Sequence, residues 1–307
     1  MDAPLRQPLA LVSTPASSDP GPRAYLEKKI HDLQHAAHRI RHGGDGKAVH
    51  DARVATRRLA AILDVWQGEL ARKPRRRAAR ELKRLRRRLG AAREREVCLE
   101  QIDRALGDAV GEDAAALDAL ATRLRRRLPG DREKVERAAH HSLVERIVSD
   151  LRRTVSDDTP ERGSGAPPLE EVQARVAKRR EAALAALDQA LAEPRDEILH
   201  QARIRAKKWR YGEETLAEAR GVRTPKVVSV LRALQESLGA NQDRAVWMAR
   251  LERAARREAK RENAGRAQAL RSRAAALRAE GARHRTEWAS FADRLRAAPP
   301  APSPPSD

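Results

Sequence analysis

The stretch HDARVATRRL at residues 50–59 returns 150 positions later as HQARIRAKKW at residues 200–209. A second pair follows in the same order, because LGAAREREV at residues 89–97 matches LGANQDRAV at residues 238–246 at an offset of 149 positions. Two blocks that recur in one order at nearly one offset indicate an internal duplication. We therefore predict two related units packed about an approximate two-fold axis.

The composition of the 307-residue chain favours helices. Aromatic residues make up 2% of the chain, so its core must be built largely from leucine, alanine, valine and isoleucine, which suit packed helices. Helical apolar spacing fills the chain between breaks rich in glycine and proline, and no strand pattern emerges. The predicted fold class is all-α, with two helical bundles of about four helices each plus extensions.

Three segments rich in proline, glycine and serine set the predicted boundaries. Residues 1–21 and 298–307 cannot join a packed core and are predicted to be disordered tails. Residues 156–168 add acidic side chains to this composition and are predicted to link the two halves. The halves are then a first repeat at about 22–155 and a second at about 169–297.

The charge of the chain implies an anionic partner. Lysine and arginine number 64 against 44 acidic residues, which gives a net charge of +20 and a potential that attracts phosphate polymers or anionic surfaces. Cys98 is the one cysteine, so a disulfide within the chain is excluded and a reducing compartment is expected. Neither a long apolar run nor a signal peptide is found, so we expect a soluble, cytoplasmic protein.

The blocks at residues 50–59 and 200–209 predict matching basic faces on two helices. Each helical residue advances about 100°, which divides each block into a basic and an apolar side. The basic faces carry His50, Arg53 and Arg57 in the first block and His200, Arg203, Lys207 and Tyr211 in the second. The apolar faces, expected in the core, carry Ala55, Leu59, Ile62 and Trp66 in the first and Ile198, Ala202, Trp209 and Leu216 in the second. The two histidines are expected either to contact a ligand or to cap the backbone.

The helix predicted at RRRAARELKRLRRRL, residues 75–89, has a dense basic edge. Its apolar edge, expected to be buried, consists of Leu82, Leu85 and Leu89. Its basic edge consists of Arg76, Arg80, Lys83, Arg84 and Arg87. Like charges one turn apart repel by about 0.2 to 0.5 kcal/mol per pair, and a chain of phosphates would offset that cost. The matching helix at 226–238 is much less charged, so we expect the first repeat to contribute more to the binding surface than the second. The alternative is that the basic edge is an ordinary solvated face.

Two other clusters leave alternatives open. One is a helical stripe of four histidines that either holds a metal ion or is solvated or phosphate-facing: His31, His35, His38 and His42. The other consists of Glu94, Glu96 and Asp243, which are either catalytic or Mg²⁺-binding acids or partners of the arginines beside them. Ion pairs are favoured for these acids. We predict no metal, because no carboxylate on the histidine stripe completes a site, and no catalytic residue, because the chain has no Gly-rich phosphate loop and no paired nucleophile and base.

Together these residues resemble the CHAD family, helical domains named for a conserved histidine. The resemblance rests on residues 49–59, on residues 199–211 and on the two Leu-Gly blocks, and it covers about residues 22–297. It implies two helical bundles related by a pseudo-two-fold axis, with a basic central cleft or pore that binds inorganic polyphosphate. The family's basic positions fall on His50, Arg53, Arg57 and Arg58 in the first repeat and on His200, Arg203, Lys207 and Lys208 in the second. The predicted polyphosphate site also includes Arg210, Tyr211 and the basic edge of residues 75–89.

The predicted function is binding of inorganic polyphosphate, without catalysis and without a cofactor, at polyphosphate granules. The predicted partners are polyphosphate and granule proteins, with nucleic acid as a non-specific competitor. Two alternatives remain: a nucleic-acid-binding protein, since charge alone does not separate phosphate polymers, and a polyphosphate-processing enzyme. Against nucleic acid, Trp66 and Trp209 fall on predicted buried faces, where they could not stack on bases.

Overall fold

A computed structural model describes residues 21–44, 46–68, 70–155, 169–281 and 285–299. Within these ranges it contains helices and no strands, which confirms the all-α prediction. The helices of the first half are α1 Gly21–Arg41, α2 Gly46–Val65, α3 Arg72–Leu106, α4 Gly111–Arg125, α5 Leu128–Ala138 and α6 His141–Arg152. Those of the second half are α7 Leu169–Ala192, α8 Asp196–Ala219, α9 Val227–Ala259, α10 Ala264–Gly281 and α11 Arg285–Arg296.

The predicted tails and the predicted linker lie almost entirely outside the described residues. The exceptions are at the edges of the two tails. Gly21 already begins α1, and Ala298 packs against the core and accepts a hydrogen bond from Arg180 at 2.6 Å. The second half therefore extends slightly beyond its predicted end at residue 297.

Glycines in the left-handed region end two of the helices. Gly43 follows α1 at φ 78°, and the amide of Gly44 donates to the carbonyl oxygen of Arg39 at 2.8 Å. Gly221 follows α8 at φ 62°, and the amide of Val222 donates to the carbonyl oxygen of Ala217 at 3.0 Å. A glycine pays no Cβ penalty at this position, so both chain reversals follow directly from the sequence.

The helices pack in the same order in the two halves. In the first half α1 contacts α2, α2 contacts α3, and α3 contacts α4 and α6. In the second half α7 contacts α8, α8 contacts α9, and α9 contacts α10 and α11. Helix α5, which packs on α3, has no counterpart among the described residues of the second half. This parallel order supports the predicted duplication, which remains a prediction.

The two halves share their hydrophobic core. They meet where α8 contacts α1 and α2 and where α4 contacts α10. The main core runs without interruption through residues of both halves, from Leu26 and Leu59 to Trp209 and Leu231. A second core joins the distal ends of α3 and α9 to α4 and α10 around Ile102. The predicted bundles are therefore one packed body, which fixes the orientation of α2 relative to α8.

The predicted apolar faces are confirmed except at Ile198, and Tyr211 is buried in addition. The residues predicted to be buried that have almost no exposed surface are Ala55, Leu59, Ile62, Trp66, Leu82, Leu85, Leu89, Ala202, Trp209 and Leu216. Ile198 is only partly buried. Tyr211, which was predicted on the basic face, is 8% exposed.

Candidate functional site

Arg53 on α2 reaches across the Leu-Gly block of α3. A Cβ atom at Gly90 would lie 2.9 Å from Nη1 of Arg53, closer than such atoms approach in proteins. A glycine is therefore required for this guanidinium to lie against the α3 backbone. Two motifs 37 positions apart in the sequence thus form a single contact.

The same contact occurs in the second half. Arg203 on α8 lies against Gly239 of the second Leu-Gly block, where a Cβ atom would be 3.1 Å from Nη2 of Arg203. In both halves the arginine of His-x-Ala-Arg meets the glycine of Leu-Gly. The recurrence of both motifs in the sequence is explained by this shared contact.

Arginines and a lysine from α2, α3 and α8 converge where the halves meet. Burial chiefly lowers the pKa of Arg53, and Arg57, Arg86 and Arg93 lower it further. Burial also chiefly lowers the pKa of Arg203, and Arg57 adds to that effect. Arg57 is thus an electrostatic neighbour of both motif arginines, one from each half. We call these groups the central basic cluster: Arg53, Arg57, Arg86, Arg93, Arg203 and Lys207.

Lys207 is the member of the central basic cluster that can lose its proton near neutral pH. Burial in the first place, and the charges of Arg203, Arg57 and Arg210 in addition, lower its pKa from 10.5 to about 7. A like-charged, partly dehydrated environment disfavours the ammonium form. A bound anion would reverse this effect, because an opposite charge nearby favours the protonated lysine.

Two guanidinium nitrogens in the central basic cluster lack a hydrogen-bond partner. Nε of Arg57 and Nε of Arg203 are buried, and neither has an acceptor among the described residues. Buried donors in proteins are nearly always satisfied, so each such group calls for an explanation. An anion bound between the two helices would supply the missing acceptors.

Two carboxylates accompany the cluster, at matching places in the two Leu-Gly blocks. Glu94 raises the pKa of Arg53, and Asp243 raises the pKa of Arg203. Glu94 also forms an ion pair of 4.0 Å with Arg250 of the second half. Arg93 in addition pairs with Glu96 and Glu100, at 3.6 and 3.0 Å. With these four carboxylates among six cations, the cluster keeps an excess of positive charge. The predicted ion pair between these acids and the arginines beside them is confirmed for Glu96 with Arg93. Glu94 also pairs with an arginine, but its partner is Arg250 and not a sequence neighbour.

The histidines of the repeats have different environments. Nδ1 of His200 is 2.8 Å from Oε1 of Gln242, so the second Leu-Gly block orients this ring. In the first block, the position of Gln242 is taken by Arg93. Burial is the main cause that lowers the pKa of His50, and Arg57, Arg93 and Arg53 contribute to the same effect. His50 is therefore predominantly neutral at neutral pH in the unliganded protein.

A family model described as CHAD domain matches residues 24–252. The chain belongs to the CHAD family. The match includes both His-x-Ala-Arg motifs and both Leu-Gly blocks. The resemblance inferred from the motifs is thereby confirmed.

Relatives and solved structures agree with this assignment. Two proteins of Mycobacterium tuberculosis, from strains CDC 1551 / Oshkosh and H37Rv, are each 32% identical over 210 residues, or 65% of this chain. Both are named uncharacterized proteins, and the match covers 39% of the length of each. The crystal structure of the CHAD domain from the plant Ricinus communis superposes with a TM-score of 0.70 at 22% identity, over 97% of this chain and 98% of that one. PptA from Streptomyces chartreusis gives 0.65 at 22% identity, over 90% and 99%. These two structures show the fold.

Three predicted site residues of this CHAD domain are either close to a protein carboxylate or buried: Arg58, Arg210 and Tyr211. Arg58 and Arg210 approach Glu214 at 4.0 and 3.6 Å. The buried ring of Tyr211 lies beneath the guanidinium of Arg210, 4.7 Å from it. Tyr211 has little exposed surface with which to contact a ligand, and the two arginines have Glu214 as their nearest anion. The binding roles of these three residues stay predictions.

Lys208 lies on a different surface from the central basic cluster. It is exposed and lines a groove between α2, α7 and α8, together with Asp64, Lys178 and Arg179. Its sequence neighbour Lys207 faces the cluster. One position on a helix is about 100° of rotation, so adjacent lysines cannot share a narrow site. The binding role of Lys208 stays a prediction, and it concerns a surface separate from the central basic cluster.

The basic edge of α3 is also divided between two surfaces. All five predicted residues are exposed: Arg76, Arg80, Lys83, Arg84 and Arg87. However, Arg80 and Arg84 line a groove against α6, away from α2. The α3 cations that act on Arg53 are instead Arg86 and Arg93, which the sequence reasoning missed. Their signal was available, because Arg86 and Arg93 share a helix face with Gly90, four and three positions away.

The histidine stripe on α1 does not form a metal site with the residues described. His31, His35, His38 and His42 are exposed, and the rings of His38 and His42 stack with centroids 4.1 Å apart. No group of three or more histidine, cysteine or acidic side chains suited to a metal occurs in the described ranges. Within the same ranges, no helix has the length and apolar character needed to span a membrane.

Proposed function

We propose that the central basic cluster binds inorganic polyphosphate. The observation that carries the proposal is the convergence of cations from both halves, among which the buried Nε atoms of Arg57 and Arg203 have no partner in the described residues. Both belong to guanidinium groups that can form two parallel hydrogen bonds to neighbouring phosphate oxygens. A ligand held between them must be anionic and must offer several acceptors. Membership of the CHAD family supports phosphate polymer as that ligand.

A linear chain of phosphates fits the arrangement of charge better than a single anion does. Cations come from α2, α3 and α8, so the positive potential extends from one half to the other. Each phosphate unit brings a charge, and binding releases counterions in proportion to the charges neutralised. Arg86 and Arg93 lie seven positions apart on α3, which is about 10 Å along the helix. An extended polyanion can contact both and still reach α8.

Nucleic acid is the less favoured polymer because of the aromatic residues. Single-stranded nucleic acids are commonly held by bases stacked on aromatic side chains. Trp66 and Trp209 are buried, and Nε1 of Trp209 donates to Glu213 at 2.8 Å inside the core. Neither ring is available for stacking at the central basic cluster. The proposal therefore limits nucleic acid to non-specific competition.

We extend the proposal to a non-enzymatic role at polyphosphate granules in the cytoplasm. The site supplies binding groups for phosphate and, in the described residues, no acidic metal cluster. Attachment to a granule requires only affinity for the polymer that fills it. Granule proteins are then secondary partners, reached through the shared polymer.

Competition between polymers tests the proposal. Labelled long-chain polyphosphate is bound to the purified protein at physiological salt and displaced, in separate titrations, by unlabelled polyphosphate and by duplex DNA at equal phosphate concentration. We expect DNA to need an at least about tenfold higher concentration, equivalent to about 1.4 kcal/mol of preference. Equal displacement by both polymers would show that the site reads only charge and would overturn the proposal.

A further inference from the structure

A second basic groove lies on the far side of α3, between α3 and the pair α5 and α6. It has a volume of about 750 Å³ and is lined along α3 by four arginines one turn apart: Arg77, Arg80, Arg84 and Arg88. The opposite wall adds Arg137 from the end of α5 and Arg146 from α6. We call this the outer groove. Its α3 wall covers eleven positions, about 17 Å of helix, which is longer than one phosphate group needs.

The outer groove is separate from the central basic cluster. Arg84 belongs to the groove and Arg86 to the cluster, although only two positions separate them. Two positions are about 200° of helix rotation, so the two side chains leave α3 in nearly opposite directions. A single short ligand could not contact both surfaces.

Half of the cations in the outer groove have no carboxylate partner. Arg77 approaches Asp150 at 3.6 Å, Arg84 approaches Glu81 at 2.8 Å, and Arg137 pairs with Glu133. In the described part of the chain, Arg80, Arg88 and Arg146 form no ion pair, and all three are exposed. The two acids that line the groove, Glu81 and Asp150, therefore leave it with an excess of positive charge from both walls.

The start of α6 adds to the positive character of the outer groove. His140, Ser142 and Leu143 line the groove, and α6 runs from His141 to Arg152. The positive end of the helix dipole thus points in the same direction as the arginines. Nδ1 of His140 accepts from the amide of Ser142 at 3.4 Å, so the imidazole caps this helix. Of the described residues that line the groove, none is a tryptophan, tyrosine or phenylalanine that could stack on a base.

The equivalent place in the second half is closed. At the offset of 149 positions, Arg80, Arg84 and Arg88 are replaced by Ser229, Ala233 and Ser237. Ser237 donates to Glu287 at 2.7 Å and accepts from Nε1 of Trp288 at 2.9 Å, and Trp288 is 2% exposed. Helix α11 therefore packs directly on α9 where the first half leaves the outer groove open. The groove is a property of the first half alone.

We propose that the outer groove is a second, independent site for a linear phosphate chain. Its ligand class rests on the proposed function, whereas its location rests on the arginines of α3 and α6. A protein with two such sites on opposite sides of α3 joins two polyphosphate chains, or two segments of one chain. Binding at the central basic cluster holds the polymer, and binding at the outer groove cross-links it.

Equilibrium dialysis with inorganic tripolyphosphate at physiological salt counts the sites on the full chain. The groove variant carries Arg80→Gln, Arg88→Gln and Arg146→Gln. The cluster variant carries Arg57→Gln and Arg203→Gln. The matched control carries Arg127→Gln, Arg256→Gln and Arg271→Gln, which remove three exposed arginines without an ion pair in the described residues. We expect two equivalents bound by the native protein and the control, one by each site variant, and none when the groove and cluster substitutions are combined.

The outcomes separate this inference from the proposed function. A groove variant that binds as many equivalents as the native protein overturns the outer groove, whatever the cluster variant does. A cluster variant with undiminished binding overturns the proposed function. The inference about the outer groove still holds in that case if the groove variant has lost one bound equivalent. Equal losses in the groove variant and in the control mean that general surface charge binds the anion, which also overturns the inference. If duplex DNA displaces tripolyphosphate from the cluster variant at equal phosphate concentration, the groove binds nucleic acid and the inference is wrong.

Discussion

Helices α3 and α9 are the longest helices described, at 35 and 33 residues, and they hold corresponding places in the two halves. Their inner faces are alike, because each presents a glycine to the arginine of a His-x-Ala-Arg motif. Their outer faces differ, because α3 presents arginines to an open groove where α9 presents serine and alanine to the packed helix α11. The contact that both halves keep is the one at the central basic cluster.

The comparison separates two uses of charge in one fold. At the inner faces the arginines are half-buried, and Arg53 and Arg203 lie against the glycines of the two Leu-Gly blocks. At the outer face of α3 the four arginines are exposed, and in the described residues only Arg77 and Arg84 have a carboxylate partner. Half-buried cations lose more hydration, which is why the pKa of Arg53 and of Arg203 is lowered mainly by burial. A preorganised inner site and an adaptable outer one are the expected consequence.

The largest expected effect concerns the outer faces of α3 and α9. It tests whether a packed helix covers only the α9 face. Trp288→Ala removes a buried ring that closes α11 over α9, and we expect it to lower the free energy of unfolding by about 3 to 5 kcal/mol. Arg146→Ala on α6, which faces the open groove, should change it by less than about 0.5 kcal/mol. Urea unfolding followed by circular dichroism measures both. Similar losses in the two variants would contradict the view that only the second half is closed.

The next effect concerns the charge of Lys207, whose place in the first motif is held by Arg57. With a pKa of about 7 in the folded protein and 10.5 as its ordinary value, Lys207 keeps its proton longer in the unfolded chain. Its destabilising charge is therefore fully present below about pH 7 and is relieved as the pH rises toward 10.5. Lys207→Met should stabilise the protein at pH 6, by on the order of 2 kcal/mol after allowance for solvent screening, and the gain should shrink by pH 10.

The same lysine links binding to protons. At pH 8 bound polyphosphate should draw up to about one proton onto Lys207, because the opposite charge raises its pKa. Calorimetric titrations in buffers of different ionisation enthalpy measure this uptake. Lys207→Met should remove most of it, whereas Arg256→Gln should not, since Arg256 is an exposed arginine outside the central basic cluster. Uptake that persists in Lys207→Met would assign the proton to another group.

The smallest effect tests the contact that the two halves share. Gly90→Ala places a methyl group against Arg53, and Gly239→Ala places one slightly less closely against Arg203. Alanine favours the helix, so stability should rise by up to about 1 kcal/mol. Affinity for polyphosphate should nevertheless fall by about two- to fivefold, more at Gly90, because the guanidinium must move away from its held position. Stability from thermal unfolding and affinity from anisotropy should thus change in opposite directions, and unchanged affinity would argue against a positioned Arg53.

The sequence predicted the parts of this CHAD domain that depend on one helix at a time. The apolar faces of α2, α3 and α8 follow from helical periodicity, and the motif arginines follow from the repeat. What it could not predict depends on how helices are rotated against each other. Arg86 belongs to the central basic cluster because its side of α3 faces Arg53 on α2. Lys208 does not, because its side of α8 faces the groove with α2 and α7. Glu214 is the nearest acidic partner of Arg58, which comes from the other half and has no signal in either local sequence.

The central claim is that cations from both halves hold one phosphate polymer at the place where the halves meet. Anisotropy of labelled long-chain polyphosphate at physiological salt should be compared for the native chain, for Arg57→Gln with Arg203→Gln, and for the control Arg256→Gln with Arg271→Gln, which lowers the charge equally. Two charge-assisted hydrogen bonds of about 1.5 to 3 kcal/mol each predict a loss of about a hundredfold or more for the first pair. The control should stay within about threefold of the native affinity. Equal losses in the two pairs would show that net charge alone binds the polymer and would contradict the account.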